Sequence, residues 1–115
     1  MRKNVVKSYD MLSAASMASD QTSAATNVIN MDKASIHVSW TGSSPVGTLS
    51  VQARNGELDS WYDLDFGGVI SVSGASGDHQ IILNELPFTD IRLVYTATSG
   101  SGSITARISM KQVGG

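Results

Sequence analysis

Two histidines are the only side chains in this sequence with an ordinary pKa close to neutral pH, and a general base is sought there first. His37 lies between Ile36 and Val38 in an alternating stretch, which places it opposite the apolar face. His79 follows a glycine-rich stretch beside Asp78. Neither histidine has a second ligand at metal-binding spacing. We interpret both as solvated or interface side chains and expect no catalytic residue and no metal site.

Acidic residues form the densest cluster of chemically useful side chains. They are Glu57, Asp59, Asp63 and Asp65. Carboxylates at this density suit Ca²⁺, which takes roughly six to eight oxygen ligands, and paired carboxylates act as acid and base in glycoside hydrolysis. The spacing of an EF-hand is absent, and Asp63 and Asp65 share one face of a predicted strand. We expect a solvated acidic face and no cofactor, with Ca²⁺ binding as the alternative.

Two adjacent aromatic residues, Trp61 and Tyr62, lie inside this acidic cluster. Exposed aromatic faces pack on the C–H faces of sugar rings, and this pair is therefore our candidate for glycan binding. The competing interpretation is that one ring anchors the core while the other covers a loop. Trp40 falls on the apolar side of its alternating stretch and is predicted to be a core residue.

The elements that position these residues are predicted to be β-strands. The chain has 115 residues, which favours one domain, and 41% of them are hydrophobic. Short alternating segments follow one another from residue 26 onward, and none has a helical stripe. Turns are predicted between them at residues 41–45, at Asn55-Gly56, at Gly67-Gly68 and at residues 74–77. The predicted strands cover residues 27–31, 35–40, 47–54, 61–65, 69–73 and 79–84, followed by residues 91–111.

Residues 91–111 carry the clearest pattern. Ile91, Leu93 and Tyr95 alternate with polar residues, and the alternation resumes after residues 99–102, which read Ser-Gly-Ser-Gly. Apolar residues with a period of two on both sides of a Gly/Ser turn are typical of an antiparallel hairpin with one buried face. The outward side of this hairpin carries Arg92, Arg107 and Lys111, which we predict as a partner-binding surface.

These patterns predict an all-β fold: an antiparallel two-sheet sandwich, jelly-roll-like or Greek key, with about eight strands. Residues 1–25 are poorly patterned and predicted to be an extended arm, with one strand near residues 4–7, that becomes ordered against a neighbour. Residues 26–115 then form the sandwich domain. The arm carries Arg2, Lys3 and Lys7, our second predicted partner-binding set.

Charge and composition exclude several classes. The net charge is −2 and the pI about 5.5, which argues against general nucleic-acid binding. No cysteine is present, so disulfides and thiol catalysis are excluded. No apolar run predicts a membrane span, and polar residues interrupt the N-terminal stretch where a signal peptide would need an apolar region. The ends are basic, and residues 55–91 contain seven acids without Lys or Arg. This asymmetry suits head-to-tail contact between copies or binding to an acidic surface, and the alternative is a solvated tail without a partner.

The residues resemble a known lineage. The stretch VQARNG, followed by Trp61-Tyr62-Asp63-Leu64, and the stretch IRLVYTATSGSGSITARIS resemble the small β-sandwich structural proteins found among the virion genes of tailed bacteriophages. The resemblance covers about residues 20–112 and includes no catalytic motif.

The resemblance implies a non-enzymatic virion component, of the head decoration or cement type. Its implied partners are the major capsid protein and copies of itself in a homo-oligomer, which we expect it to bind through the N-terminal arm and sheet edges. Its implied location is the virion, assembled in the host cytoplasm. Related sandwiches occur in tail and fibre proteins that bind receptors or glycans, and this is the alternative. No functional residues carry over from the family pattern.

Overall fold

The computed structural model describes residues 5–56, 59–64, 70–86 and 88–112. Across these ranges the chain is all-β, with no helix and eight strands paired antiparallel, which confirms the predicted class. The strands are β1 (Val5–Ser16), β2 (Gln21–Thr22), β3 (Thr26–Asn27), β4 (Lys33–Arg54), β5 (Tyr62–Asp63), β6 (Ile70–Val72), β7 (Ser76–Leu83) and β8 (Asp90–Gln112).

The two long strands, β4 and β8, form a single ribbon that runs through the whole sheet. They pair from Lys33 opposite Lys111 to Arg54 opposite Asp90. One half of the ribbon, residues 33–43 and 101–112, is flanked by β1 and β7; we call this the first layer. The other half, residues 46–54 and 90–99, is flanked by β2, β3, β5 and β6; we call this the second layer.

The inner faces of the two layers share one hydrophobic core. Along β4 the buried residues have even numbers in the first layer and odd numbers in the second: Ile36, Val38 and Trp40, then Leu49, Val51 and Ala53. The same change of parity occurs in β8, from Ile91, Leu93 and Tyr95 to Ile104, Ala106, Ile108 and Met110. This is the inward set that the alternation predicted, and it gives the sandwich its buried middle.

A pair of bulges absorbs the change of parity. The register shifts between Ser43 and Val46 and again between Val46 and Gly47, so that each strand gains one residue and the pairing resumes unchanged. Ser44 and Gly100 have positive φ values of 50° and 77° at this bend. The extra residues therefore let the ribbon fold over while the same face stays inside.

Two glycines meet at close range in the bend. Gly42 is paired with Gly102. A Cβ atom on Gly102 would lie 3.0 Å from the Cα of Gly42 and 3.2 Å from the carbonyl carbon of Thr41, and closer still to the Thr41 oxygen. Only residues without a side chain fit this crossing.

The predicted hairpin at residues 91–111 is wrong, although its inward residues are correct. The Gly/Ser stretch 99–102 is the bend inside one continuous strand, β8, and both arms pair with β4 rather than with each other. The predicted turn at residues 41–45 is likewise a bend inside β4. A bend and a hairpin turn both use glycine, and alternation on either side does not distinguish them.

The N-terminal segment is a full strand of the first layer. Residues 5–16 form β1 and pair with β8, and Met11, Leu12 and Met17 are buried in the core. The segment is extended, as predicted, but the neighbour that orders its described part is β8 of the same chain rather than another protein. β2 and β3 continue from it along the edge of the second layer.

The shorter predicted strands and turns lie close to the observed ones in sequence, but their lengths differ. The Asn55-Gly56 turn ends β4, with Gly56 at a positive φ of 108°. Trp40 is buried and its indole N–H donates to the Ser73 carbonyl at 3.3 Å. Predicted strands at 27–31 and 61–65 are reduced to two residues each, and the predicted Gly67-Gly68 turn lies outside the described residues.

Candidate interaction surfaces

The outer face of the second layer carries two arginines stacked on one tryptophan. Arg54 on β4 and Arg92 on β8 point outward, and their guanidinium carbons lie 4.5 Å and 4.3 Å from the centre of the Trp61 ring. A guanidinium within about 6 Å of an indole centre is attracted to its π face. Trp61 is half-buried in this arrangement and is not part of the core.

A chain of polar contacts holds the same arginines in place. Arg54 Nε lies 3.2 Å from Asp90 Oδ2, with the two side chains only 20% and 13% exposed. Arg92 Nε donates to Gln52 Oε1 at 2.8 Å, and Gln52 Nε2 donates to Asp63 Oδ1 at 2.9 Å. We call these residues, with Trp61, the arginine–tryptophan network. Its contacts attach the segment around β5 to the ribbon.

Tyr62 is the more open of the two predicted glycan-binding residues. It is 44% exposed, and its ring centre lies 6.1 Å from that of Phe88 with the planes at 70°. Leu64, two residues on, is partly buried against the core. Glycan binding by Trp61 and Tyr62 stays a prediction, but the arginines already occupy part of the Trp61 surface.

Two of the four residues of the acidic cluster lie within the described ranges. Asp59 and Asp63 are exposed, and Glu57 and Asp65 lie outside the described residues. Within the part of the chain that the structure describes, no group of three or more His, Asp or Glu side chains is placed to hold a metal ion. His37 is exposed on β4 as predicted, and His79 is exposed on β7.

The outer face of the first layer is built differently. A row of serines crosses three strands: Ser8 on β1, Ser109 on β8 and Ser35 on β4. Ser8 and Ser109 share a hydrogen bond of 3.0 Å between their hydroxyl oxygens. The short side chains leave shallow depressions of about 250 and 340 Å³ on either side, bordered by cationic residues. These residues are Lys33, Lys111 and Arg107.

Arg107 on this face has an acidic neighbour on the adjacent strand. Its Nε lies 3.5 Å from Asp10 Oδ1, and both side chains are about two-thirds exposed, at 64% and 63%. An exposed pair of this kind stabilises a fold by about 0–1 kcal/mol. We call the outer face of the first layer, with its serine row and bordering cations, the serine–cation face. Its side-chain contacts are weak.

The structure does not bring the predicted hairpin residues together. Arg107 and Lys111 lie on the outer face of the first layer, whereas Arg92 lies on the outer face of the second. Because the two layers turn their inner faces toward each other, these outer faces point in opposite directions. The single basic patch that we predicted is therefore two separate surfaces.

β1 presents a free edge. It is the last strand on its side of the sheet, and no described strand pairs with its outer edge. Val6 is 64% exposed and Tyr9 47% exposed, and Lys7 is exposed between them. Arg2 and Lys3, the other residues of the predicted arm set, lie outside the described residues. A cavity of about 290 Å³ adjoins Tyr9, between β1 and the β2–β3 segment.

Tyr95 carries a shifted pKa but belongs to the core. Its hydroxyl donates to the Val46 carbonyl at 3.4 Å, beside the bend. Burial, and then the charge of Asp20, raise the pKa of Tyr95 above its ordinary value of 10.0. The phenol is therefore a neutral hydrogen-bond donor at physiological pH, with a structural role.

Sequence reasoning missed two features of these surfaces. Arg54 was not singled out, although its even number places it on the same outward side as Gln52. The length of β1 was also missed, because the alternation in residues 5–10 is weak: Lys7 and Tyr9 lie on the inner side, opposite Met110 and Ile108. The alternation of residues 47–54 is the sequence signal that assigns Arg54 to the outer face.

Among the described residues, no helix is long and apolar enough to span a membrane. No protein-family model and no curated protein matches the chain.

Two solved structures align with this one over most of its length. The crystal structure of the SPBc2 prophage-derived protein YomS has a TM-score of 0.64 and 15% sequence identity, covering 96% of each chain. A structure of Bacillus endospore appendages, which form a novel family of disulfide-linked pili, has a TM-score of 0.39 and 15% identity, covering 96% of this chain and 86% of that one. The first likeness shows a shared fold; the second is too low to compare the folds.

Proposed function

We propose that this chain is a non-catalytic structural protein of a bacteriophage particle, of the capsid decoration or cement type. In this role it binds the major capsid protein and neighbouring copies through its N-terminal segment and sheet edges. Two findings support a phage origin: the resemblance of the sequence to small virion sandwiches, and the shared fold with a protein from a prophage.

The observation that carries the proposal is the free edge of β1. Its unpaired main-chain N–H and C=O groups are a template for an added strand, with exposed Val6 and Tyr9 beside them. Strand addition gives affinity through main-chain hydrogen bonds and needs no deep pocket. A small sandwich repeated many times on a particle multiplies such weak contacts by avidity.

The test is co-sedimentation with capsid shells assembled from the capsid protein of the genome that encodes the chain. Deleting the whole segment is unsuitable, because Met11, Leu12 and Met17 belong to the core. We instead suggest Val6→Lys with Tyr9→Lys, two exposed positions on the edge strand, where added charge opposes pairing.

We expect the double variant to lose at least about tenfold in bound fraction. Ser39→Lys is the matched control, because Ser39 is exposed on β4, an interior strand of the same layer that is paired on both sides. Wild-type protein that stays in the supernatant would overturn the proposal. If the double variant is fully retained on the shells, the β1 edge is not the part of the protein that binds them.

A carbohydrate- or receptor-binding module of a tail or fibre is the second candidate. The exposed Tyr62 ring beside Phe88 favours it, since an open aromatic face can pack on a sugar ring. Glycan-array binding that is abolished by Tyr62→Ala supports this role, and binding that survives it counts against the role.

A further inference from the structure

We propose that β1 pairs antiparallel with β1 of a second copy, across a two-fold axis that passes through Ser8. The inference rests on the proposed use of the β1 edge for binding, and it names the partner of that edge and the register of the contact. This pairing joins the first layers of the two copies into one continuous sheet.

The usable part of the edge is short. The register of β1 against β8 is regular from Val5 to Asp10 and shifts between Asp10 and Leu12 and again between Leu12 and Ala15. Ala14 has a positive φ of 48° within the second shift. A bulge bends the strand that carries it and breaks the regular spacing of its outward N–H and C=O groups. A partner strand is therefore confined to the residues before Met11.

Parity and charge select the register. A two-fold axis perpendicular to the sheet keeps the outer face outside, so each residue must lie opposite one of the same parity. An axis at Lys7 or at Asp10 sets like charges directly opposite each other, which is destabilising. An axis at Tyr9 draws Met11, which is 8% exposed and in the core, into the contact. An axis at Ser8 avoids these conflicts and pairs the whole regular stretch from Val6 to Asp10 with itself, so we place the axis there.

The side chains are self-complementary in this register. On the outer face Ser8 meets the second copy's Ser8, so the serine row runs unbroken across the axis. On the inner face Lys7 lies opposite the second copy's Tyr9, where its stem packs on the ring. Two small hydroxyl residues on the axis let the backbones approach without a clash.

The cavity beside Tyr9 receives the lysine. It lies on the inner side of the edge and is lined by Tyr9, Asp10, Ala24, Ala25, Thr26 and Asn27. The second copy's Lys7, placed opposite Tyr9, points toward this space. Small apolar residues accommodate its methylene stem, and the polar side chains of Thr26 and Asn27 suit its ammonium group.

A strand pair of five residues is a small interface, so the dimer is expected to be weak in dilute solution. Disulfide trapping is the suitable test, because the chain contains no cysteine. Opposed residues across an antiparallel pair have Cα atoms about 4.5–5.5 Å apart, within the ~7 Å limit for a disulfide. Ser8→Cys is thus expected to form a covalent dimer of the full chain under mild oxidation.

Ser109→Cys is the matched control, one strand further in on the same serine row. Its two copies would be separated by three strand spacings, about 14 Å, too far for a disulfide. Val6→Cys checks the register, because an axis at Ser8 sets Val6 opposite Asp10 instead of itself. We expect Ser8→Cys to crosslink at least about tenfold faster than either control.

Equal rates for Ser8→Cys and either control, or no crosslinked product, would overturn the proposal. A second measurement uses no thiol: Ser8→Lys sets like charges on the axis, and the concentration-dependent mass of the wild type in solution should fall to 12.1 kDa in this variant. These readings need no capsid. A dimer without capsid binding refutes only the particle role, and capsid binding without a dimer refutes only the self-pairing.

Discussion

The two outer faces of the sandwich differ in how completely their side chains engage one another. On the second layer, Arg54 and Arg92 contact Trp61 and also Asp90 and Gln52. On the first layer, serines form a flat row between cations, and the ion pair of Arg107 is two-thirds exposed. On the second layer the polar groups bind other residues of the same chain. On the first layer they are exposed to solvent beside a free strand edge.

This difference assigns different roles to surfaces that share the same ribbon. The arginine–tryptophan network attaches the short strand β5, which has two residues and little pairing of its own. The serine–cation face needs no such attachment, because β1 and β7 pair with the ribbon over many residues. Its groups are therefore available to a partner.

The largest effect is expected where both faces depend on one contact. Gly102→Ala places a methyl group against the backbone of Thr41 and Gly42, so the bend must open. We expect a loss of about 3 kcal/mol in the free energy of unfolding, measured in urea. Ser101→Ala, exposed next to it, should change stability by less than about 0.5 kcal/mol. Equal losses in the two variants would show that close packing at the crossing is unimportant.

An intermediate effect is expected on the second layer. Trp61→Ala removes both arginine contacts and should lower the free energy of unfolding by about 1–2 kcal/mol, since each exposed cation–π contact contributes about 0.5–1 kcal/mol. A double-mutant cycle with Arg92→Ala should give a coupling of about 0.5–1 kcal/mol. A coupling of zero would mean that the stacking contributes nothing and that the two faces are alike.

The smallest effect is expected on the first layer. Arg107→Ala removes an exposed ion pair with Asp10 and should change the free energy of unfolding by less than about 0.5 kcal/mol. The same cycle with Asp10→Ala should show weak coupling that falls as salt is added. Coupling as strong as that of Arg92 with Trp61 would erase the contrast between the faces.

The fold class could be predicted because burial follows parity. Ile36, Val38, Leu93 and Ile108 are all buried on the side that alternation assigned to them. The pairing of the strands could not be predicted from the sequence, because the stretch Ser99-Gly100-Ser101-Gly102 suits a hairpin turn and a bend equally well. Alternation reports which face is buried and is silent about which strand lies alongside.

The surfaces were less accessible to sequence reasoning. Arg92, Arg107 and Lys111 do point away from the core, but the bend between them sends them to opposite sides of the molecule. Trp61 was assigned to a sugar or to packing within the chain, and its observed partners, Arg54 and Arg92, stand on two different strands of the ribbon. Contacts of this kind depend on register, which single-chain patterns do not encode.

The ribbon also governs when the molecule can fold. Strands β1, β2, β3 and β4 all take the last strand, β8, as a partner, and along the ribbon the nearest paired residues, Arg54 and Asp90, are 36 apart in sequence. The chain must pay the entropy cost of closing long loops before it gains the free energy of contacts this distant, so folding is slow. At a synthesis rate of about 5–20 residues per second, β1 and β4 wait for seconds without their common neighbour. The sandwich is therefore completed only after β8 has emerged from the ribosome, in one late step that positions both layers together.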